Sequence, residues 1–316
     1  MTALLDRVGS WVRPSARRQV RDFVVLGAAG QVEAAMSLVA TVVLVRHTGA
    51  EASGQVFLAQ SLAALWFLVW DPRLGDAAQR FVPVGQAAGP GRGAWLFARL
   101  LAVDAVVGMS AAAVGAALVA VAHALGAIAA GHAHLLLLAL AGQAATASRG
   151  TSAAGYAIAG RLRRLGALRM VHAVAALGAG LTGLLLYGPC GYLAAAALAG
   201  AALTITLAVP ARRAVAATLG PVPSGTVTAP PGLLRFAVTT SLASSVALAS
   251  DNGVLAAAGL LGGPALTAYL KIASAPARLF LGMVSTVTAQ LYPRFAAAAV
   301  RGDGAAVRAD ALRATA

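Results

Sequence analysis

Lysine is almost missing from this chain. Of its 24 basic residues, only Lys271 is not arginine. That scarcity excludes a P-loop ATPase, whose motif needs a lysine between glycine and serine or threonine, because Lys271 is followed by Ile272. Cysteine is equally scarce, and Cys190 alone makes neither an intramolecular disulfide nor a cysteine-based metal cluster. Charge is thin overall, at 11% of residues against about 25% in an average soluble domain. The glycine-rich "GPGRG" (89–93) follows no strand and reads as a loop rather than a phosphate cradle. His132 and His134 in "GHAH", with His123 nearby, have no acidic neighbour and read as a plain loop, so no metal and no cofactor is expected.

What the chain has instead is apolar length: 59% hydrophobic residues and a mean hydropathy of +0.81. The apolar residues fall in blocks of about 20, the length that crosses a bilayer. The expected fold class is therefore all-α, a polytopic membrane protein with about eight transmembrane helices. Their expected bounds are Phe23–Val45, Gln55–Trp70, Ala94–Ala122, His134–Ala154, Leu168–Tyr187, Tyr192–Val209, Leu233–Leu261 and Ala265–Leu291. The second is short, and is expected to run on through "DPRLGDAAQRF" as a broken helix. The basic amino terminus and long first block fit a retained span better than a cleaved signal peptide.

The net charge of +14 does not indicate a nucleic-acid partner, because the arginines sit in short connections between apolar blocks. Arg7, Arg13, Arg17, Arg18 and Arg21 precede the first span. Arg73, Arg80 and Arg92 follow the second; Arg161, Arg163 and Arg164 follow the fourth; Arg212, Arg213 and Arg235 follow the sixth. Arg294, Arg301, Arg308 and Arg313 end the chain, while the opposite loops hold only Arg46. The positive-inside rule then puts both termini in the cytoplasm of an inner-membrane protein. A Pro-, Gly- and Thr-rich stretch separates the expected parts: a basic segment (1–22), a six-helix bundle (23–218), a linker (219–232), and the first two helices of a second bundle with a tail (233–316). A constant, gap-free offset across the linker superposes Arg21 on Arg235, Gly49 on Gly263 and Arg80-Phe81 on Arg294-Phe295. Such repeats are common in transporters.

Ionisable residues inside spans face cavities or the bundle interior and mark function. Glu33, with Ser37 and Thr41 at helical spacing, forms a polar stripe on the first span. Asp251 and Asn252, with Thr240 and Ser244, do the same on the seventh. Lys271, Ser274 and Arg278 share a face of the eighth. The plainer alternatives are that Arg278 snorkels, that Asp104 and Arg99 are interfacial, and that Glu33 pairs with a structural arginine. An ammonium and a guanidinium in low dielectric suit a polyanion, either a soluble phosphate metabolite or a lipid diphosphate.

Two stretches then resemble a known family. "ASDNGVLAAAGLLGGPALTAYLKIASAPARLF" (249–280) is similar to the seventh and eighth helices of polysaccharide flippases, with Asp251, Gly262-Gly263, Tyr269 and Lys271 in the matching places. "TGAEASGQVFLAQSLAALWFLVWDPRLGDAAQRFVP" (48–83) resembles that family's first outer turn and second helix, ending in Arg80-Phe81. This is the oligosaccharide-flippase branch of the multidrug/oligosaccharidyl-lipid/polysaccharide exporter (MOP) superfamily. The resemblance implies two six-helix bundles around a central cavity and a cargo of undecaprenyl-diphosphate-linked oligosaccharide for cell-surface polysaccharide and lipopolysaccharide synthesis. Family members have at least twelve spans, so the eight-span sequence is expected to be either a fragment or a natural truncation. Lys271, Arg278 and Arg46 would engage the diphosphate. Glu33 and Asp251, beside Asn252, would balance those cations or couple transport to H+ or Na+. Ser37, Thr41, Thr240, Ser244 and Ser274 would line the path. Expected partners are the lipid-linked oligosaccharide, membrane lipids, and the pathway's polymerase and glycosyltransferases. One alternative is a cation-coupled multidrug exporter of the same superfamily. A second, a membrane glycosyltransferase or glycan polymerase, is disfavoured because the outer loops hold only Glu51 as an acid. A non-transporting scaffold is a third.

Overall fold

The computed structural model describes residues 14–222 and 228–277, with residues 14–23, Ser244 and Ala247 described by backbone alone. All regular structure among the described residues is helical: α1 (Pro14–Trp70), α2 (Leu74–Ala87), α3 (Arg92–Ala124), α4 (Ala130–Thr146), α5 (Arg149–Ile158), α6 (Leu162–Leu219), α7 (Leu233–Gly262) and α8 (264–277). By unbroken length and apolarity, three helices among these residues are fit to cross a membrane, or four if the bent α7 is included.

Two of the three are double. At 57 residues, α1 would run about 85 Å if straight. Gly49 breaks it with φ 81° and ψ 169°, a conformation that costs glycine little and other residues much. In α6 the break falls at Tyr187 and Gly188. The halves fold back closely: a Cβ on Gly183 or Gly191 would strike the other's carbonyl group. The chain thus reads as span 1 (24–48), span 2 (50–87, interrupted after Trp70), span 3 (α3), span 4 (α4 with α5), spans 5 and 6 (the halves of α6), span 7 (α7) and span 8 (α8).

The expected break in "DPRLGDAAQRF" is present. Residues 71–73 leave the helix, and Arg73 takes a left-handed φ of 48° while its backbone N–H donates to Asp71 Oδ1 at 2.9 Å. A break that the sequence reading lacks separates α4 from α5 around Ser148. The amino ends of several helices also lie outside the expected bounds: span 5 begins at Leu162 and span 6 directly after Gly188.

The turns fall into two sets. Gly49, Gly126, Gly188 and Gly263 mark one end, and Gly89, Gly91, Gly160, Gly220 and Gly232 the arginine-rich end, all at positive φ. The repeat pair Gly49 and Gly263 share nearly one backbone geometry, φ 81°, ψ 169° against φ 88°, ψ 162°. Arg294 and Phe295, also matched by that offset, lie outside the described residues.

Two apolar cores bracket the bundle. One, at the arginine-rich end, is built on Phe81, Phe97, Leu100, Tyr156, Leu165 and Leu207. The other, toward Gly49 and Gly188, uses Leu44, Phe57, Ala63, Leu140, Leu184 and Leu193. Large apolar side chains such as Val106, Met109, Leu118 and Val121 on α3 are exposed, as expected of a surface that meets lipid rather than water. Polar side chains tie the spans together: Trp66 Nε1 donates to Ala111 O at 2.8 Å, and Thr204 Oγ1 donates to Ala145 O at 2.6 Å.

Candidate functional site

Between the two cores lie two cavities of opposite charge. The first, about 400 Å³, is bounded by spans 2, 3, 4 and 7. Its walls carry Asp71, Asp104, Gln143 and Asn252 with the rings of Phe67 and Trp70, and no cationic side chain among the described residues lines it. Asp104 is 6% exposed and accepts a 2.6 Å hydrogen bond from Thr151 Oγ1. That burial corrects the expectation of an interfacial Asp104. Residue 104 lies twelve positions into α3, about 18 Å along its axis. Asp71, at the break of span 2, pairs with Arg73 at 3.4 Å. Span 7 closes this side, where Ser241 Oγ donates to Asp71 O.

The second cavity, about 340 Å³, lies between spans 1, 4, 5 and 6. At its polar end Glu33 accepts from two arginines. Arg169 engages both carboxylate oxygens, Nε to Oε1 at 2.9 Å and Nη2 to Oε2 at 2.5 Å, while Arg149 Nη2 reaches Oε1 at 2.5 Å. The side chains are 22% (Glu33), 35% (Arg149) and 25% (Arg169) exposed. One carboxylate against two guanidiniums leaves an excess positive charge, and His172 stands on the same wall. The sequence reading singles out Glu33 and allows it a structural arginine as partner, but names none of Arg149, Arg169 and His172. Arg149 and Arg169 each sit inside an apolar span, and the rule that flags Glu33 applies equally to them.

The other expected site residues are spread out. Ser37 lines the second cavity, whereas Thr41 is buried and turns its hydroxyl back to Ser37 O at 2.8 Å. Asn252 lines the first cavity, but its neighbour Asp251 is exposed on α7. Thr240 is half-buried, Arg46 is exposed beside the Gly49 turn, and Ser274 Oγ donates to Lys271 O at 3.1 Å. Lys271 is half-buried, its Nζ 5.8 Å from the centre of the Phe57 ring on span 2. Arg278 and the side chain of Ser244 lie outside the described residues, so the expected pairing of Lys271 with Arg278 does too.

Two solved structures share this arrangement of helices. One is a MOP superfamily transporter from Pyrococcus furiosus Vc1, whose binding pocket is described as having a reverse polarity that suggests a different function. It superposes with a TM-score of 0.66 at 16% identity, covering 93% of this chain and 68% of its own. The fold is that of a MOP superfamily transporter. The second structure, a MATE protein in a bent conformation, has a TM-score of 0.53 at 15% identity over the same shares of the two chains. No family model and no curated protein matches the sequence. Within the MOP fold, both cavities belong to the first six spans, and span 7 seals one of them.

Proposed function

We propose that the protein is a membrane exporter that moves an organic cation, with Asp104 and Asp71 facing the cargo. The observation that carries this reading is the larger of the two cavities, with two carboxylates, two aromatic rings and no lining cation among the described residues. Carboxylates supply counter-charge, and ring faces attract cations and apolar bodies alike. The likeness to MOP superfamily and MATE structures supports transport as the activity class. Exchange of the cargo with H+ or Na+ at the same carboxylates would drive the cycle.

The second reading is a flippase for a lipid-linked oligosaccharide. Lys271 favours it, because it sets an ammonium against Phe57 where spans 2 and 8 meet. One experiment separates the two. In proteoliposomes, Asp104→Asn should lower gradient-driven ethidium export at least tenfold and leave flipping of a fluorescent lipid-diphosphate sugar unchanged; Lys271→Ala should do the reverse if the cargo is the lipid. Full ethidium export by Asp104→Asn would sink the cation reading.

A further inference from the structure

The second cavity has a shape that neither cargo reading uses. Its polar end holds Glu33, Arg149 and His172. A mostly apolar shaft leads away from them: Ala173, Ala176, Leu177 and Gly180 on span 5, faced by Met36 and Ala40 on span 1 and Tyr192 and Ala196 on span 6. From His172 to Gly180 the helix advances about 12 Å, and no charged residue among those described lines that stretch. Among the described residues charge is confined to one end, and the rest of the wall is apolar apart from Ser37 and Tyr192.

Hydrogen-bond capacity at the polar end is unspent. A guanidinium has five N–H donors, and Arg149 gives one of them to Glu33. Arg169 takes the larger share of that carboxylate, with two bonds to both oxygens. Glu33 is thereby held mainly by Arg169, and Arg149, also on the cavity wall, keeps donors for another anion. Desolvated positive charge without a full counter-charge is costly, so an anion entering here is stabilised by more than contact alone.

We propose that this cavity binds an amphiphilic anion, with its phosphate or carboxylate head on Arg149 and His172 and its hydrocarbon chain along the Ala173–Gly180 shaft. Glu33 is then an internal competitor for the head, and Arg169 is the positioning residue that draws Glu33 aside. The proposal stands apart from the choice of cargo at Asp104 or Lys271.

The test uses the full chain in lipid nanodiscs with dodecyl phosphate as probe, and inorganic phosphate and dodecyltrimethylammonium as controls. Dodecyl phosphate should bind saturably, at least tenfold more tightly than either control. Arg149→Gln should weaken it at least tenfold, and Arg169→Gln several-fold, because Glu33 then falls wholly to Arg149. Glu33→Gln should tighten it several-fold, an effect opposite to that of simple structural damage. Ala176→Phe, which fills the shaft and touches no charge, should weaken dodecyl phosphate at least tenfold and keep the test open if the arginine variants do not fold. Unchanged binding in Arg149→Gln or Ala176→Phe, or weaker binding in Glu33→Gln, would overturn the site. Mass spectrometry of the purified protein identifies the source of the ligand: retained anionic phospholipid assigns it to the bilayer, and its absence beside tight dodecyl phosphate binding assigns it to a single-chain solute.

Discussion

Asp104 shows how a carboxylate is held inside this bundle. It is 6% exposed, and the residue that donates to it, Thr151, is fully buried. Deleting that donor leaves the carboxylate's desolvation uncompensated, a cost of about 1–3 kcal/mol for a buried group. Thr151→Val should therefore destabilise the protein by about that amount, while Thr151→Ser should stay near wild type; thermal unfolding in detergent measures both. The sequence marks the ionisable residues but not their partners. Glu33 stands out in span 1 by itself, whereas its arginines lie 116 and 136 positions further along the chain. Arg149 and Arg169 also flank the dense group Arg161, Arg163 and Arg164, which absorbs attention as a topology signal. Asp104 misleads for the opposite reason: distance from a helix end says nothing about which helix covers it.

At the level of elements, the reversals depend on glycine. Spans 5 and 6 meet where Gly183 lies against the Gly191 carbonyl group, and a side chain there has no flexible neighbour to displace. Gly178 occupies the same helix with nothing within 4 Å of a Cβ. Gly183→Ala should cost about 1–3 kcal/mol through forced separation of backbones. Gly178→Ala should be neutral or stabilising by up to about 1 kcal/mol, the helix-propensity gain over glycine. Comparing the two unfolding midpoints checks the assignment; equal midpoints would contradict the close packing. The existence of these helices was legible, because apolar runs and arginine loops reflect bilayer thickness and charge placement. The break at Ser148 was not, since "TASRGTSA" carries no proline and its small polar residues are compatible with an unbroken helix. The left-handed turns at Gly49 and Gly263 were foreshadowed only as two coincident letters in a loose repeat.

Across the whole molecule, spans 7 and 8 are seated on span 2. Arg80 lies 5.4 Å from the ring centre of Phe81 and 4.5 Å from that of Phe236, and a Cβ on Gly259 would come within 2.7 Å of Leu58 Cδ1. If the protein transports as proposed, alternating access would require that seam to change. A Leu58→Cys/Gly259→Cys pair on a Cys190→Ser background should cross-link under mild oxidant, stop transport, and regain activity on reduction. Activity that persists in the cross-linked protein would show that the seam stays fixed through the cycle. Which spans meet here could not be read from one sequence, because every span presents similar alanine- and leucine-rich faces.

The two cavities also make the bundle electrically lopsided. Fixed negative charge faces spans 2, 3 and 7, and surplus positive charge faces spans 1, 5 and 6. A small solute entering the bundle as proposed would therefore be sorted by the sign of its charge before its size or shape matters, and cations and anions would take separate berths instead of competing for one.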